Sequence, residues 1–573
     1  MFLPLLLVPL FFLPAVVLGI LPPSSGHNNS NPKVLFLTNS ERGQANIHLA
    51  TAHALVANHH DSVQVHFATF PVLEDAVEQV SRQAIRSIPD EDAGVQGIVF
   101  HPIGGSSYKD AMIRVGITMD GIRHPPGVRG AATFSWIMEK MLVPWTGPEY
   151  VEVYNNMRQI ITDVDPDIIV VDSFFPPGNE AAKSLKRSRI FLSPNSPKDT
   201  IALRQQGMGK IWWHYPALAS AYPYPVPWHL IPANIYLISR IIWEVLVGGR
   251  IRQLEAYLKA HGVGSATEFF QFNDLHIPWL VSFSPEMEYP ISLPASVVSC
   301  GPIYMALDTV ENEDAELATW LARAPTVLIV LGSHTAYDER AAGEMIRTIR
   351  MVLDGDDRVQ VLWKLKMLED SMNSANRSKN INTSLSDELA SLLSTGRVRI
   401  QPWLSADPAS MLESGHVICY VHHGGANSFG ESIGTGVPQV VLPMWADTYD
   451  YAVRAEWLGV GIWGNRHAAP FWTAEETSQA VLKIISGGDS GNGSYHRKAK
   501  ALATPSREQA GRNVAAREIV RLVRQQQKQH APVEEEGRSN NQIPIWFNTS
   551  SSAKSGSGSG SESGSVSAVS DEL

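Results

Sequence analysis

Residues 422–428 read His-His-Gly-Gly-Ala-Asn-Ser and follow an apolar, β-branched run at 417–421 (VICYV). The pattern predicts a buried strand, a glycine-rich turn and a helix starting near Ser428. That order makes an anion site: the glycines let backbone approach a ligand, the free N–H groups donate, and the helix dipole favours negative charge. His423 and Ser428 can add side-chain donors. Glu431 lies one turn into the helix, where a carboxylate can hold a ribose diol. The same residues can also form a plain tight turn, with Asn427 or Ser428 capping the helix.

The surrounding pattern supplies a frame. Apolar strands are predicted at 33–38, 64–69, 97–101, 168–172 and 279–283, and again at 326–331, 360–364, 398–401, 417–421 and 439–442. Each is followed by a helical pattern, which predicts parallel sheets covered on both faces. The expected fold is α/β, two Rossmann-like doubly wound domains facing a cleft. The expected bounds are 27–305 for a first domain, 306–325 for a linker and 326–530 for a second domain with C-terminal helices. Ligands of such sheets bind beyond the strand carboxyl ends, so the cleft is the expected site.

The chain of 573 residues is too long for one core. Its net charge of −11, with no basic face standing out, disfavours nucleic acid or an anionic membrane as the main partner. Two cysteines, Cys300 and Cys419, do not define a redox compartment. Residues 1–23 are almost purely apolar and read as a signal peptide, or as an uncleaved anchor. Pro4, Pro9 and Pro14 count against a regular anchor helix. Residues 531–573 form a Ser/Gly-rich tail ending Ser570-Asp571-Glu572-Leu573, similar to the KDEL retrieval signal. Leader, tail and sequons at Asn28, Asn376, Asn382, Asn492 and Asn548 together lead us to expect a glycoprotein of the endoplasmic reticulum lumen, with secretion or membrane anchoring as alternatives.

Residues 401–447 (QPWLSADPASMLESGHVICYVHHGGANSFGESIGTGVPQVVLPMWAD) resemble the signature box of family 1 UDP-glycosyltransferases. The resemblance implies a GT-B fold and an inverting enzyme that uses a UDP-sugar as co-substrate, with no metal expected. It implies that Trp403 stacks on uracil. His423, Gly425, Asn427, Ser428 and Glu431 match the phosphate and ribose contacts. Asp447, sixteen residues after Glu431, matches the Asp that binds sugar hydroxyls. Pro438, Pro443 and Trp445 also fit the box. Gly332 and Ser333 resemble the second phosphate loop, and 171–174 (VDSF) the segment of the catalytic Asp, here Asp172.

The chain departs from the family pattern at several positions. Gln44 occupies the slot of the catalytic His, and Gln is not a base. Thr448 stands where a Gln or His helps read the sugar. Ser405 and Ala406 follow Trp403 in place of Pro-Gln, and Ala426 replaces a Trp. His48, four residues after Gln44, shares its helix face and is one candidate base, with Asp172 orienting the ring; it can equally be a packed or solvated histidine. Asp172 itself is the other, with Gln44 placing the hydroxyl.

Residues 211–247 are rich in Trp, Tyr, Pro, Leu and Ile. They suit the lining of a pocket for a terpenoid, polyketide or sterol-like acceptor. Ordinary core and a membrane-dipping surface are the alternatives. The sequence thus predicts a hexosyltransferase, glucose being the expected sugar, acting on a lipophilic acceptor in secondary metabolism. The alternative is a catalytically inactive UDP-sugar-binding module.

Overall fold

Among the described residues thirteen strands build two sheets, with parallel pairing throughout. The computed structural model describes residues 31–89, 94–200, 210–267, 276–333, 335–368, 379–486 and 493–530. The leader, the tail from 531 and the sequons at Asn28, Asn376, Asn492 and Asn548 lie outside the described residues. Asn382 falls on the helix Lys379–Ser394.

The first sheet holds β1 (Lys33–Leu37), β2 (Gln64–Thr69), β3 (Val99–Pro102), β4 (Ile168–Asp172), β5 (Arg189–Ser193), β6 (Trp279–Val281) and β7 (Val297–Ser299). Their order is β3-β2-β1-β4-β5-β6-β7. The second holds β8 (Thr326–Val330), β9 (Gln360–Lys364), β10 (Val398–Gln401), β11 (Val417–His422), β12 (Gln439–Val441) and β13 (Gly461–Trp463), ordered β10-β9-β8-β11-β12-β13. Both are doubly wound Rossmann-like sheets, and the ten strands read from sequence are all present. β5, β7 and β13 complete them.

Strand order reverses between β1 and β4 in one sheet and between β8 and β11 in the other. A ligand site is expected at each such switch point. At the first lie the start of the helix Arg42–His59, which carries Gln44, and Asp172, the last residue of β4. At the second lie the loops after Val330 and His422.

The last helix corrects the expected domain bounds. Gly511–His530 does not stay with the second sheet. Its buried stripe Ala515, Ala516, Ile519, Val520 and Val523 joins the core built by Val34, Phe36 and Phe67 of the first. The spacing of that stripe makes one apolar helix face, and the first sheet is the surface it covers.

Candidate active site

One cavity of about 1640 Å³ is walled by both halves. Among the sequence-predicted residues it is lined by Gln44, Gly332, Ser333, Trp403, His423, Gly425, Asn427, Ser428, Glu431, Trp445, Asp447 and Thr448. Asp172 and His48 are not among its lining residues.

The glycine-rich turn is built around His423. The helix starts at Ala426, earlier than expected, with Gly425 in the cap position and no side-chain cap. Asn427 and Ser428 therefore sit in its first turn and do not cap it. A Cβ on Gly332 would come within 2.8 Å of the His423 ring, and one on Gly425 within 2.7 Å. Glycine on both sides is what lets the imidazole lie between the two loops. Gly332 also has φ +87°, which favours glycine. Trp445 packs on the other side of His423, ring centroids 5.5 Å apart.

Tyr420, on β11, organises the ribose end. Its hydroxyl lies 3.2 Å from Ser428 Oγ and 3.3 Å from Glu431 Oε2. Burial pushes the Glu431 carboxyl up to about 8, with Asp407 adding to the rise and the Tyr420 hydrogen bond opposing it. Tyr420 was invisible in the sequence because an inward strand Tyr reads as core. Asn427 Nδ2 donates to the Arg42 carbonyl at 3.5 Å, tying this helix to the start of the helix that carries Gln44.

Trp403 is 53% exposed, a free aromatic face at the cavity rim. Lys364 Nζ stands 3.7 Å from its ring centroid and donates to the Gly332 carbonyl at 3.3 Å. Burial, helped by Lys366 and Arg42, lowers the Lys364 ammonium to about 8.

Asp447 stands at the seam between the halves. Burial pushes its carboxyl up to about 7, and Asp199 from the first half adds to the rise. Asp199 pairs with the buried Lys198 at 2.5 Å, and Lys198 reaches Asp450 across the seam at 3.5 Å. Arg454 pairs with Glu288 at 2.8 Å beside them. The loop before Asp447 is clamped by His124, whose Nε2 accepts from the Ala446 N–H at 2.9 Å. That bond leaves Nδ1 to donate to the Pro125 carbonyl at 2.8 Å and fixes the neutral tautomer. Thr448 differs from its expected part: its hydroxyl accepts from Met444 N–H and Trp445 N–H and donates to the Trp445 carbonyl, so it closes the turn.

The two candidate bases are both buried. His48 is fully buried, with Nδ1 3.0 Å from the Gln44 carbonyl and its ring edge-on to Phe36. Burial drives it down to about 4. Of the two readings, the packed histidine is the one seen: one turn beyond Gln44, which lines the cavity, the His48 ring is set against Phe36 of β1 and does not reach a deep acceptor. His48→Ala is expected to keep UDP affinity and turnover while lowering unfolding free energy by about 1–3 kcal/mol, the scale of a core truncation, as chemical denaturation would read. Asp172 is 1% exposed. Its oxygens accept from Asn39 N–H at 3.3 Å and Phe174 N–H at 2.8 Å, and both residues line the cavity. Asp172 therefore stands just behind the wall, with burial pushing it up to about 7. Glu41, the residue before the helix, lines the cavity at the same corner as Gln44.

Two doubly wound sheets with a cavity spanning both switch points define a GT-B glycosyltransferase fold. A solved UDP-glucosyltransferase from Polygonum tinctorium, capable of glucosylating indoxyl, has this fold. It superposes with TM-score 0.56 at 14% identity, covering 86% of this chain and 99% of that one. The family described as UDP-glucoronosyl and UDP-glucosyl transferase matches residues 307–492. Glycosyltransferase sdnJ of Sordaria araneosa is 35% identical over 476 residues, 80% of this chain and 89% of that protein. UDP-glycosyltransferase stmC of Aspergillus ustus is 29% identical over 205 residues, 35% of this chain and 37% of that protein. The chain belongs to the UDP-glycosyltransferase family and is an enzyme of that class.

Proposed function

We propose that the enzyme transfers a neutral hexose, glucose first, from a UDP-sugar to a hydroxyl of a lipophilic small molecule in secondary metabolism, with inversion at C1. The observation that carries this reading is the convergence of one residue set on one cavity. Trp403, the 423–431 turn and Asp447 face an apolar wall of Met112, Met138, Met141, Ile238 and Ile242 contributed by the first half.

Trp403 takes the uracil ring by stacking. His423, Ser428 and the N–H groups opening the helix Ala426–Thr435 take the diphosphate, with Gly332 and Ser333 on its other side. Glu431 accepts from the ribose diol. Asp447 accepts from sugar hydroxyls, and Trp445 covers that end. The acceptor oxygen attacks C1 as the bond from C1 to the diphosphate oxygen breaks. UDP leaves with the electron pair and the acceptor proton passes to a carboxylate of the first half. Asp172, whose N–H partners Asn39 and Phe174 line the cavity, is the proposed acceptor of that proton, with Gln44 holding the hydroxyl. Glu41 is a second reading, favoured by its place on the cavity wall.

Gln44 lines the cavity and His48 does not, which leaves the carboxylates of the first half to take the proton in this reading. A UDP-release assay over a panel of UDP-hexoses and lipophilic alcohols decides it: turnover with no acceptor in the panel sinks the transferase reading. Tyr420→Phe offers a finer check. Losing its hydrogen bond to the Glu431 carboxyl is expected to weaken UDP binding by about tenfold in calorimetry. Unchanged affinity would remove Glu431 from the ribose site. Lumenal residence rests on the leader and residues 570–573. Deleting those four is expected to move the protein into the medium with turnover unaltered.

A further inference from the structure

We infer that the helix Ile231–Val247 lies along a phospholipid bilayer interface and delivers acceptor from the lipid into the cleft. This rests on the proposed lipophilic acceptor for its purpose, but not for its evidence.

The helix has two apolar faces with different fates. Ile238, Ile241, Ile242 and Val245 line the cavity. Ile235, Tyr236, Ser239 and Trp243 fall on another face, within about 100° of arc at about 100° per residue. That second face is exposed: Trp243 is 62% accessible, Tyr236 44% and Ile235 39%. Around it stand Trp228 at 82%, Trp213 at 49% and Trp136 at 40%. They sit on elements packed against this helix: the short helices Lys210–Trp213 and Trp228–Leu230, and the helix Ala131–Leu142. The segment Trp228–Ala260 is long and apolar enough to cross a membrane, yet only 24% of its apolar window is buried. Arg240 bonds Ser135 at 3.2 Å and the other face lines the cavity, so the helix is held against the protein and does not span.

Residue type identifies the occupant. Trp and Tyr prefer the headgroup level, where an apolar ring and a polar N–H or O–H are both accommodated. Charge agrees. Together with Gly127–Gly130, these packed elements carry Arg129, Lys140, Lys210 and Arg240 against Glu139 and Glu244, a net positive surface on a chain of net −11. Lys140 covers the Trp136 ring at 3.7 Å, an apolar stem and a cation at one level. An aromatic face flanked by cations, with the adjoining face of the same helix lining a lipophilic cavity, is the layout of an interfacial entry.

Flotation of the full chain with phosphatidylcholine vesicles, with and without phosphatidylglycerol, tests the inference. The wild type is expected to float, more with the anionic lipid. A triple variant, Trp228→Ser, Tyr236→Ser and Trp243→Ser, is expected to lose about tenfold or more in partitioning. None of these three lines the cavity, so UDP affinity by calorimetry stays at the wild-type value and certifies the fold. If the triple variant does not fold, Trp243→Glu alone is expected to give most of the loss. A wild type that stays in the aqueous layer, or variants that float as well as it does, overturns the inference. Flotation is read without any acceptor, so its failure leaves sugar transfer standing and failed transfer leaves flotation standing.

Discussion

Asp447→Ala is expected to lower sugar transfer by roughly a hundredfold or more while UDP affinity stays within about twofold. The magnitude is that of losing a charged hydrogen bond that strengthens in the transition state. Its place in the fold explains why the effect divides this way. Asp447 sits at the start of the helix Thr448–Leu458, reached by a loop that His124 and Thr448 hold from two sides. Trp403, Glu431 and the turn at His423 are separate from that loop, so the nucleotide keeps its contacts. Removing the Asp447 carboxyl also removes a like charge from Asp199 and Asp450, so no stability loss is expected to confuse the result. Calorimetry with UDP and steady-state turnover with the UDP-hexose make the pair of measurements. Equal loss in both would move Asp447 from the sugar to the nucleotide.

The donor side was legible because its chemistry is local. Strand, two glycines, helix and a carboxylate one turn later fall within fifteen residues, and β11 places them all at one strand end. Trp403 and Asp447 come from other loops, and only the resemblance joined them to this set. The first half was harder to read. Its chemistry is assembled from β1, β4, β5 and the seam, from residues that mean little alone. Lys198 and Asp199 belong to no motif in the sequence, and only folding sets Lys198 against Asp450. His124, one of 19 histidines, carries no sequence signal, although its tautomer clamps the loop before Asp447. Three strands escaped for a simpler reason. β7 and β13 are three residues each, and β5 begins with Arg189, so none shows the long apolar run that marks a buried strand. The two readings of His48, base or packed histidine, are separated by geometry that helix spacing cannot supply. Spacing gave the shared face with Gln44 but not which side of the helix the sheet would take.

Asp172→Asn is expected to lower turnover by about 10²–10⁴, the usual contribution of a positioned base, with UDP affinity unchanged. An alcohol must lose its proton as the new C1–O bond forms, and Gln44 cannot take it. Asp172 has the right electrostatics. Burial holds its carboxyl near 7 while the N–H groups of Asn39 and Phe174 keep the charged form accessible. A base must be ionised to act, so turnover is expected above about pH 7 and to fall as pH drops through that value. Asn preserves the size of the side chain, so calorimetry and thermal unfolding separate lost chemistry from lost fold. Glu41→Gln is the decisive partner experiment. Glu41 lines the cavity where Asp172 does not, and it shares the corner of Gln44. If Glu41→Gln is the dead variant and Asp172→Asn retains turnover, the base belongs to the residue before the helix and Asp172 only holds the strand end. If both are dead with UDP bound normally, proton transfer runs through the pair. Wild-type rates in both, with the acid limb unchanged, would mean that neither carboxylate receives the proton.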